Sequence, residues 1–453
     1  MFDFDKNYAK IRDTKRKECQ MIETIDKQPL RGMRDFLPLD WVFRKKLMAA
    51  WTESAEQSGF VRYETPVVEP LALLERKSGE EISAQIYNFE DKSGRKIALR
   101  PEITPSMVRI VSGNREAFPA QGKVYSIGQC FRYERASLGR KREHFQWNID
   151  IIGETRVVAE AYLLKTAIQA LNKLGFSADD FKIHVNNRAL VSAFLSGLGM
   201  DAEKSLAVMG VMDKKDKVSA DDFRAMLSEV GASEEQIASV CRFMTAKDLT
   251  EIETFVAADS PAMAEMRLFL SYCNALSISD YVMVDTGIVR GLAYYTGIVF
   301  EAFDTQRKFR AIFGGGRYDN LFEKLTGRAS AAVGLGFGDV VIEELYKDKH
   351  TIQSSDVSVD VLIGAYSDEI AESLLKVFGI ISDENISADC DFKPSAMGKF
   401  LSRADKRYAK IAAYIGEREY QEGKVLLKNM ATGDQEIVPM DENLAKEIKK
   451  MLA

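Results

Sequence analysis

Residues 131–150, FRYERASLGRKREHFQWNID, place a basic loop between two runs that are typical of strands. The cations in this stretch outnumber the acids: Arg132, Arg135, Arg140, Lys141 and Arg142 stand against Glu134 and Glu143. Planar guanidinium groups bind pairs of phosphate oxygens, so the loop is suited to a phosphorylated ligand. The alternative is a solvated basic loop without a ligand, which is the commoner meaning of a lone charge cluster.

The residues that follow the loop favour a ligand site. Successive side chains of a strand point to opposite faces, so Gln146, Asn148 and Asp150 share one face. The residues between them are apolar and share the other face. A polar face continuous with an arginine loop predicts one wall of a site for a ligand that carries both phosphate and amine.

The stretch RPEITPS places an acid and a hydroxyl two residues apart. In an extended chain Glu102 and Thr104 point the same way and are suited to an ammonium group. Alternatively, Thr104 caps a helix with Pro105 in its first turn, and Glu102 is an incidental surface acid. The residue types leave both interpretations open.

The stretch GIVRGLAYYTGIVFE places Arg290 between two apolar strand-like segments. A buried arginine needs a partner, because an unpaired buried charge costs roughly 3–5 kcal/mol. Tyr294 and Tyr295 point to opposite faces of a strand, so one is suited to line a pocket while the other packs. The alternative is a structural ion pair beside two core tyrosines.

Two glycine-rich stretches follow, FGGGRYD and GLGFG. The first lacks the spacing of a phosphate-binding loop. Its glycines, ahead of Arg317 and Tyr318, more simply allow the backbone to approach a ligand closely or form a bulge. The second alternates glycine with larger residues, so that a group can lie flat against one face of the strand.

Composition limits the class of protein. With 453 residues, 46% hydrophobic and 29% charged, the chain is predicted to be a soluble globular protein of two to four domains. A net charge of −6 argues against nonspecific binding of nucleic acid over the whole surface, but it permits a local basic binding surface. The five cysteines are scattered, and no Cys/His/acid group has metal-ligand spacing. The absence of a long apolar run or a signal-like N-terminus predicts a cytoplasmic location without a membrane segment.

Changes in composition and periodicity along the chain predict several domains and connecting segments. Residues 1–30 are polar and are interpreted as an N-terminal extension, and residues of about 189–275 form short charged helical pieces that suit an insertion. The polar residues 346–356 are interpreted as a linker. Strands and helices alternate over residues 357–453, which predicts a separate small α/β domain.

Taken together and in order, six stretches resemble the histidyl-tRNA synthetases, members of class II of the aminoacyl-tRNA synthetases. They are RGMRDFLP, ALRPEITPS, the FRYER hairpin, VRGLAYYTGIVFE, GGGRYD and YIGEREYQEGKVLLKNMATG. The resemblance implies an α+β protein whose catalytic domain, residues 31–345, is built on an antiparallel sheet with a helical insertion. It also implies a homodimer and a C-terminal α/β anticodon-binding domain.

The resemblance further implies a reaction. ATP and L-histidine would form histidyl-adenylate and pyrophosphate, and the histidyl group would then pass to the 3′ end of tRNA-His. Mg²⁺ would accompany the ATP, and no membrane would be involved.

The resemblance assigns roles by position. Residues matching those that hold the amino-acid ammonium are Glu102, Thr104 and Gln146. Residues matching the imidazole site are Asp150 and Tyr295, with Tyr294 beside them. Residues matching the ATP site are Arg132 and Arg290 on opposite sides of the α-phosphate, Arg140 near the terminal phosphates, and Tyr318 in the same pocket; Arg132 and Arg290 are the catalytic pair.

The chain departs from the family pattern in three places. A glutamate–arginine pair usually ends the third motif, and its arginine clamps ATP, whereas this chain has Val340 and Val341 there. Another cation, Arg317 or Arg142, would then take over, or adenylation would be weakened. Ala293 replaces an aspartate before the two tyrosines, and the hairpin loop has the sequence ERASLGR, so recognition of the extra 5′ guanine of tRNA-His stays open.

These departures leave an alternative function. A paralogue with the same fold, the regulatory subunit of ATP phosphoribosyltransferase, senses histidine without catalysing a reaction by itself. That paralogue lacks the anticodon-binding domain, whereas residues 357–453 of this chain are typical of one. The sequence therefore favours the synthetase.

Overall fold

The computed structural model describes residues 27–75, 84–118, 122–137, 139–215, 218–289 and 295–452. They form two compact units. The first comprises Ala50–Leu345 together with the described residues up to Asp35. The second comprises Phe36–Ala49 and the chain from Tyr346 onward. Most of the predicted N-terminal extension, residues 1–30, lies outside the described residues.

The first unit is built on a large sheet. Within the described ranges its strands are β1 (Val61–Arg62), β2 (Val68–Pro70), β3 (Asn88–Glu90), β4 (Lys96–Leu99), β5 (Gly122–Phe131), β6 (Glu143–Ile152), β7 (Phe181–Asn187), β8 (Val282–Val284), β9 (Ile298–Asp304), β10 (Phe313–Arg317) and β11 (Ala332–Gly338). The order in the large sheet is β1-β5-β6-β11-β10-β9-β7-β8, and β2, β4 and β3 form a small separate sheet.

The inner strands of the large sheet are antiparallel, which confirms the α+β expectation. The pairs at its two edges, β1 with β5 and β7 with β8, are parallel. The longest hairpin joins β5 to β6, and its register pairs Phe131 with Glu143. The basic loop predicted from the sequence therefore connects two inner strands of the large sheet.

In the described ranges, twelve helices lie between residues 38 and 349, and six of them, α5–α10, belong to the long connection from β7 to β8. They are α1 (Pro38–Gln57), α2 (Leu71–Glu75), α3 (Thr104–Gly113), α4 (Val158–Lys173), α5 (Arg188–Gly197), α6 (Ala202–Met212), α7 (Ala220–Glu229), α8 (Glu234–Phe243), α9 (Leu249–Ile252), α10 (Pro261–Ala275), α11 (Leu321–Thr326) and α12 (Asp339–Lys349).

Helices α5–α10 occupy the region that the sequence predicted to be a helical insertion. The first backbone N–H groups of a helix have no partner within it, so short helices depend on caps. The side chains of Ser219, Ser233 and Ser260 accept such hydrogen bonds at the starts of α7, α8 and α10. The rings of Phe194 and Phe243 stack with centroids 4.1 Å apart, so the helices have a core of their own.

An aromatic cluster lies behind the central strands. Trp147 of β6 stacks on Trp51 of α1 with ring centroids 6.1 Å apart, and Phe337 of β11 meets Trp51 edge-on at 5.4 Å. All three rings are fully buried. Because closely packed aromatic rings resist displacement, this cluster holds β6 and β11 in a fixed register.

The second unit is a layered α/β domain. Its elements, apart from the start of α1, are β12 (Val361–Ala365), α13 (Ala371–Asp383), β13 (Ala388–Cys390), α14 (Met397–Lys406), β14 (Ile411–Ile415), α15 (Glu417–Gln421), β15 (Lys424–Asn429), β16 (Gln435–Pro439) and α16 (Asn443–Leu452). The strand order is β13-β12-β14-β15-β16. Strand alternation directs Val361 and Ile363 into one core with α13 and α16, and Leu362 into another with Phe400 of α14.

A buried ion pair ties α4 to the end of β10. The guanidinium of Arg317 donates to both carboxylate oxygens of Glu160, at 2.6 and 2.9 Å. It also donates to the carbonyl oxygens of Glu154 and Arg156, at 2.9 and 3.1 Å. Arg317 is 3% exposed and Glu160 is fully buried, so the pair is part of the core of the first unit.

Replacing Glu160 with alanine is expected to destabilise the first unit by about 3–5 kcal/mol, because the buried charge of Arg317 would lose its main partner. Urea unfolding is followed by tryptophan fluorescence in a Trp41→Phe background. The two remaining tryptophans, Trp51 and Trp147, lie in the first unit, whereas Trp41 belongs to the second. The control is Lys173→Ala, which removes an exposed ion pair and should cost less than about 1 kcal/mol. Equal unfolding midpoints for the two variants would contradict the structural role of Arg317.

Candidate active site

The polar face of β6 lies opposite the glycines of β11. The antiparallel register pairs Asp150 with Gly334, Asn148 with Gly336 and Gln146 with Gly338. A Cβ atom on Gly334 would overlap the carboxylate of Asp150, and one on Gly336 would lie 2.8 Å from the amide nitrogen of Gln146. The alternating glycines of GLGFG therefore leave the space that the polar side chains of β6 occupy.

A chain of hydrogen bonds runs along this face. Gln146 Nε2 donates to Asn148 Oδ1 at 2.7 Å, and Asn148 Nδ2 donates to Asp150 Oδ2 at 2.7 Å. The hydroxyl of Tyr318 donates to the other carboxylate oxygen of Asp150. All four residues are at most 8% exposed. Because buried polar groups are costly unless they are bonded, the chain holds each side chain in one orientation.

The start of α3 supplies two further polar groups. Thr104 is the first residue of this helix, and no side chain caps it, so the alternative of a cap by Thr104 is wrong. The Thr104 hydroxyl instead lies 3.5 Å from Nδ2 of Asn148. Glu102 and Thr104 are 6% and 7% exposed, so neither is an incidental surface residue.

The β5–β6 hairpin positions the arginines. Arg132 follows the last residue of β5, and its Nε donates to the carbonyl oxygen of Pro101 at 2.9 Å. Arg140 forms an ion pair with the buried carboxylate of Glu134. Both side chains therefore have fixed partners on the protein.

A cavity of about 730 Å³ opens over the polar face. Its lining includes eight of the ten site residues predicted from the sequence: Glu102, Thr104, Arg132, Arg140, Gln146, Asp150, Tyr295 and Tyr318. The other two, Arg290 and Tyr294, lie outside the described residues. The arginines lie at the Glu143 end of β6 and Asp150 lies near its other end, so the cavity offers cations to one part of a ligand and a carboxylate to another.

The cavity also contains residues that sequence reasoning did not assign to the site. They include His144, Glu301 and Arg310. Strand alternation would have found His144, because it shares the face of Gln146. Arg310 stands on the connection between β9 and β10, where no periodicity indicates the direction of a side chain.

The two cations proposed to replace the third-motif arginine do not face the described part of the cavity. Arg317 is bound to Glu160 in the core. The Nε of Arg142 donates to the carbonyl oxygen of Glu134 at 3.1 Å, and its guanidinium lies 4.1 Å from the ring centre of Tyr133. Val340 and Val341, in contrast, both line the cavity.

His144 is held in its neutral form. Desolvation, followed by the positive charge of Arg132, lowers the pKa of His144 to about 3. A neutral imidazole here adds no positive charge beside the arginines and keeps one ring nitrogen as an acceptor.

The lowered pKa of His144 predicts that its imidazole does not titrate between pH 8 and pH 5. The chain has three histidines, so NMR of protein with ¹³C-labelled histidine should give few, well-separated ring signals. The signal lost in a His144→Gln variant identifies the residue, and its position should be constant over this range. A midpoint near the ordinary value of about 6.5 would contradict the desolvation of His144 described here.

A largely antiparallel sheet whose central hairpin carries arginines into a polar cavity is the arrangement of class II aminoacyl-tRNA synthetases. A family model described as Histidyl-tRNA synthetase matches residues 32–338, and one described as Anticodon binding domain matches residues 356–451. The chain belongs to the histidyl-tRNA synthetase family and is thus an enzyme that activates histidine and charges tRNA.

Curated relatives match over almost the whole chain. The chain is 35% identical to the chloroplastic/mitochondrial histidine–tRNA ligase of Arabidopsis thaliana, over 91% of this chain and 85% of that one. It is also 35% identical to the histidine–tRNA ligase of Opitutus terrae, over 92% of this chain and 96% of that one.

Solved structures share the fold. A histidyl-tRNA synthetase from a Nostoc species superposes with a TM-score of 0.79 at 23% identity, covering 94% of this chain and all of that one. The apo enzyme of S. aureus superposes with a TM-score of 0.69 at 24% identity, with the same coverage.

The match of residues 356–451 to an anticodon-binding domain disfavours the regulatory-subunit alternative. Among the described residues, no helix is both long and apolar enough to cross a membrane.

Proposed function

We propose that the cavity binds L-histidine at its Asp150 end and ATP at its arginine end, and that histidyl-adenylate forms between them. The observation that carries this proposal is the single polar wall described above. Hydrogen bonds along it link a buried carboxylate–phenol pair, Asp150 with Tyr318, through Asn148 to Gln146. The fixed arginine Arg132 lines the same cavity.

Histidine recognition rests on the Asp150 end. Asp150 accepts a hydrogen bond from the imidazole, and Tyr295, with Tyr294 beside it, closes the same subsite. The sequence resemblance assigned Tyr318 to the ATP pocket, but its hydroxyl bonds Asp150, so we assign it to the imidazole subsite. An amino acid whose side chain cannot donate to Asp150 loses this hydrogen bond to a buried carboxylate, and sites of this kind reject such a ligand by about 10⁴-fold.

The ammonium group of histidine lies among Glu102, Thr104 and Gln146. Each has an oxygen that accepts hydrogen bonds, and each is largely buried in the cavity wall. The amino acid is thereby held at both its side chain and its amine, which directs its carboxylate toward Arg132.

Adenylation needs no nucleophile from the protein. A carboxylate oxygen of histidine attacks the α-phosphorus of ATP, and the bond from that phosphorus to the oxygen bridging to the β-phosphate breaks. Pyrophosphate leaves with the electron pair. Arg132 on one side and Arg290 on the other stabilise the extra negative charge, each by about 3–4 kcal/mol. Alignment of the two bound reactants supplies much of the remaining rate enhancement.

Arg140 binds the terminal phosphates in this proposal. Its ion pair with Glu134 holds it at the cavity wall. In the second step a ribose hydroxyl at the 3′ end of the tRNA attacks the carbonyl carbon of histidyl-adenylate, and AMP leaves.

Mg²⁺ would accompany ATP. The carboxylates of Glu134 and Glu301 line the cavity and fit its preference for oxygen ligands, which usually come from one or two carboxylates and the substrate phosphates. The ion would neutralise part of the phosphate charge.

The remaining parts of the chain take the roles that the family implies. We assign residues 31–345 to the catalytic domain, with the insertion of about 189–275 placed for the tRNA acceptor stem, residues 346–356 to a linker and residues 357–453 to anticodon binding. Residues 1–30 are an extension. The active form is a cytoplasmic homodimer that charges tRNA-His.

Purified protein is expected to exchange labelled pyrophosphate into ATP only when L-histidine is present. Arg132→Ala and Arg290→Ala should each lower the exchange rate by about 10²–10³-fold, because each removes a cation from the transition state. Circular dichroism and size exclusion should show the fold and the dimer unchanged. Near-normal exchange by either variant would show that the arginine assignments are wrong.

Gly334→Ala is expected to raise the KM for histidine at least tenfold while the KM for ATP changes little. The added methyl group would displace the carboxylate of Asp150, which lies against this glycine. Gly113→Ala is the matched control, because a Cβ at Gly113 meets nothing within 4 Å. An unchanged KM for histidine in a folded Gly334→Ala protein would refute the placement of the imidazole.

A further inference from the structure

The cavity contains a valine where the family pattern has a cation. Val341 stands at the position of the third-motif arginine, lines the cavity and is 7% exposed. The isopropyl side chain of valine can neither donate a hydrogen bond to a phosphate nor offset its negative charge. Arg317 and Arg142, the replacements suggested by the sequence, are engaged with Glu160 and with Tyr133.

Arg310 is a cation in the same cavity that neither the family pattern nor the sequence assigned to the site. Hydrogen bonds hold the backbone in place on both sides of Arg310. The N–H of Phe309 donates to the buried carboxylate of Asp304 at 3.0 Å, and the N–H of Ile312 donates to the carbonyl oxygen of Ala302 at 2.7 Å. Arg310 therefore projects from a short segment anchored at the end of β9 and the start of β10.

Arg310 lines the same cavity as Val341, the residue at the position of the third-motif arginine. A Cβ on Gly139 would lie 3.5 Å from Cγ2 of Val341, so the loop that carries Arg140 lies over this valine. Partial burial, then the charge of Arg140, lowers the pKa of Arg310, with Glu134 acting in the opposite direction. Arg140 is paired with Glu134, whereas no residue in the described ranges forms an ion pair with Arg310. Two guanidinium groups in one cavity, both under the influence of a single carboxylate, favour an additional anion.

We propose that Arg310 binds the terminal phosphates of ATP from the β10 side of the cavity and replaces the arginine missing from the third motif. It acts together with Arg140, which approaches from the hairpin. This inference rests on the proposed location of ATP at the arginine end of the cavity. It gives Arg310 a role in nucleotide binding and in departure of pyrophosphate, and none in histidine recognition.

The test is histidine-dependent pyrophosphate exchange by the full-length protein. In Arg310→Ala, kcat/KM for ATP should fall about 100-fold, the size of effect seen when one stabilising donor is removed. The KM for histidine should change less than twofold. Arg310→Lys should be intermediate, because it keeps the charge but loses bidentate geometry. The control Arg328→Ala removes an exposed arginine outside the cavity lining and should behave as wild type.

A rescue variant separates a role in ATP binding from a structural role. In the Arg310→Ala background, Val341→Arg restores a cation at the third-motif position and should recover at least tenfold of the lost kcat/KM for ATP. A merely structural defect at Arg310 would not be repaired by a charge at Val341. Near-normal kinetics of Arg310→Ala, or equal increases in the KM for ATP and histidine, would overturn the inference. Wild-type protein without histidine-dependent exchange would instead refute the proposed function itself.

Discussion

The site depends on the pairing of a polar strand face with a strand that has glycine at every facing position. Asp150 and Gln146 point into the space that side chains on Gly334 and Gly336 would fill. The aromatic packing of Trp147 on the opposite face prevents β6 from shifting its register. A one-residue slip would turn the tryptophan into the cavity and the carboxylate into the core, so recognition and stability require the same alignment.

A second constraint is the concentration of positive charge in an acidic protein. The chain carries a net charge of −6, yet Arg132, Arg140 and Arg310 line one cavity. Glu134 offsets part of this charge, and His144 adds none because its pKa is lowered to about 3. The remaining excess is directed at a polyanion, which is the electrostatic requirement for binding a nucleoside triphosphate. In the role proposed for Arg310, the positive charge that the third-motif arginine supplies in the family comes from another part of the cavity wall.

Local patterns in the sequence predicted local structure well. Alternation over residues 145–150 predicted which side chains of β6 face the cavity, and the hairpin predicted that Arg132 stands at a strand end. The glycine alternation in GLGFG predicted a face open to another group. Each of these features repeats within a few residues of one strand, where period-two geometry decides the outcome.

Such local patterns could not predict contacts between residues that are far apart in the sequence. Tyr318 bonds Asp150 across a separation of 168 residues, which only the strand order of the sheet brings about. The sequence suggested Arg317 as a substitute cation, but the end of β10 directs it to Glu160 on the side of α4. Arg310 stands in a connection whose shape depends on a cap by Asp304, so no repeat revealed it.

The most direct measurement is a crystal structure of the protein with L-histidine and a non-hydrolysable ATP analogue. The imidazole is expected within hydrogen-bond distance of the Asp150 carboxylate, and the α-phosphate is expected against the guanidinium of Arg132 in the same cavity. Either ligand bound outside that cavity, or an imidazole directed away from Asp150, would contradict it.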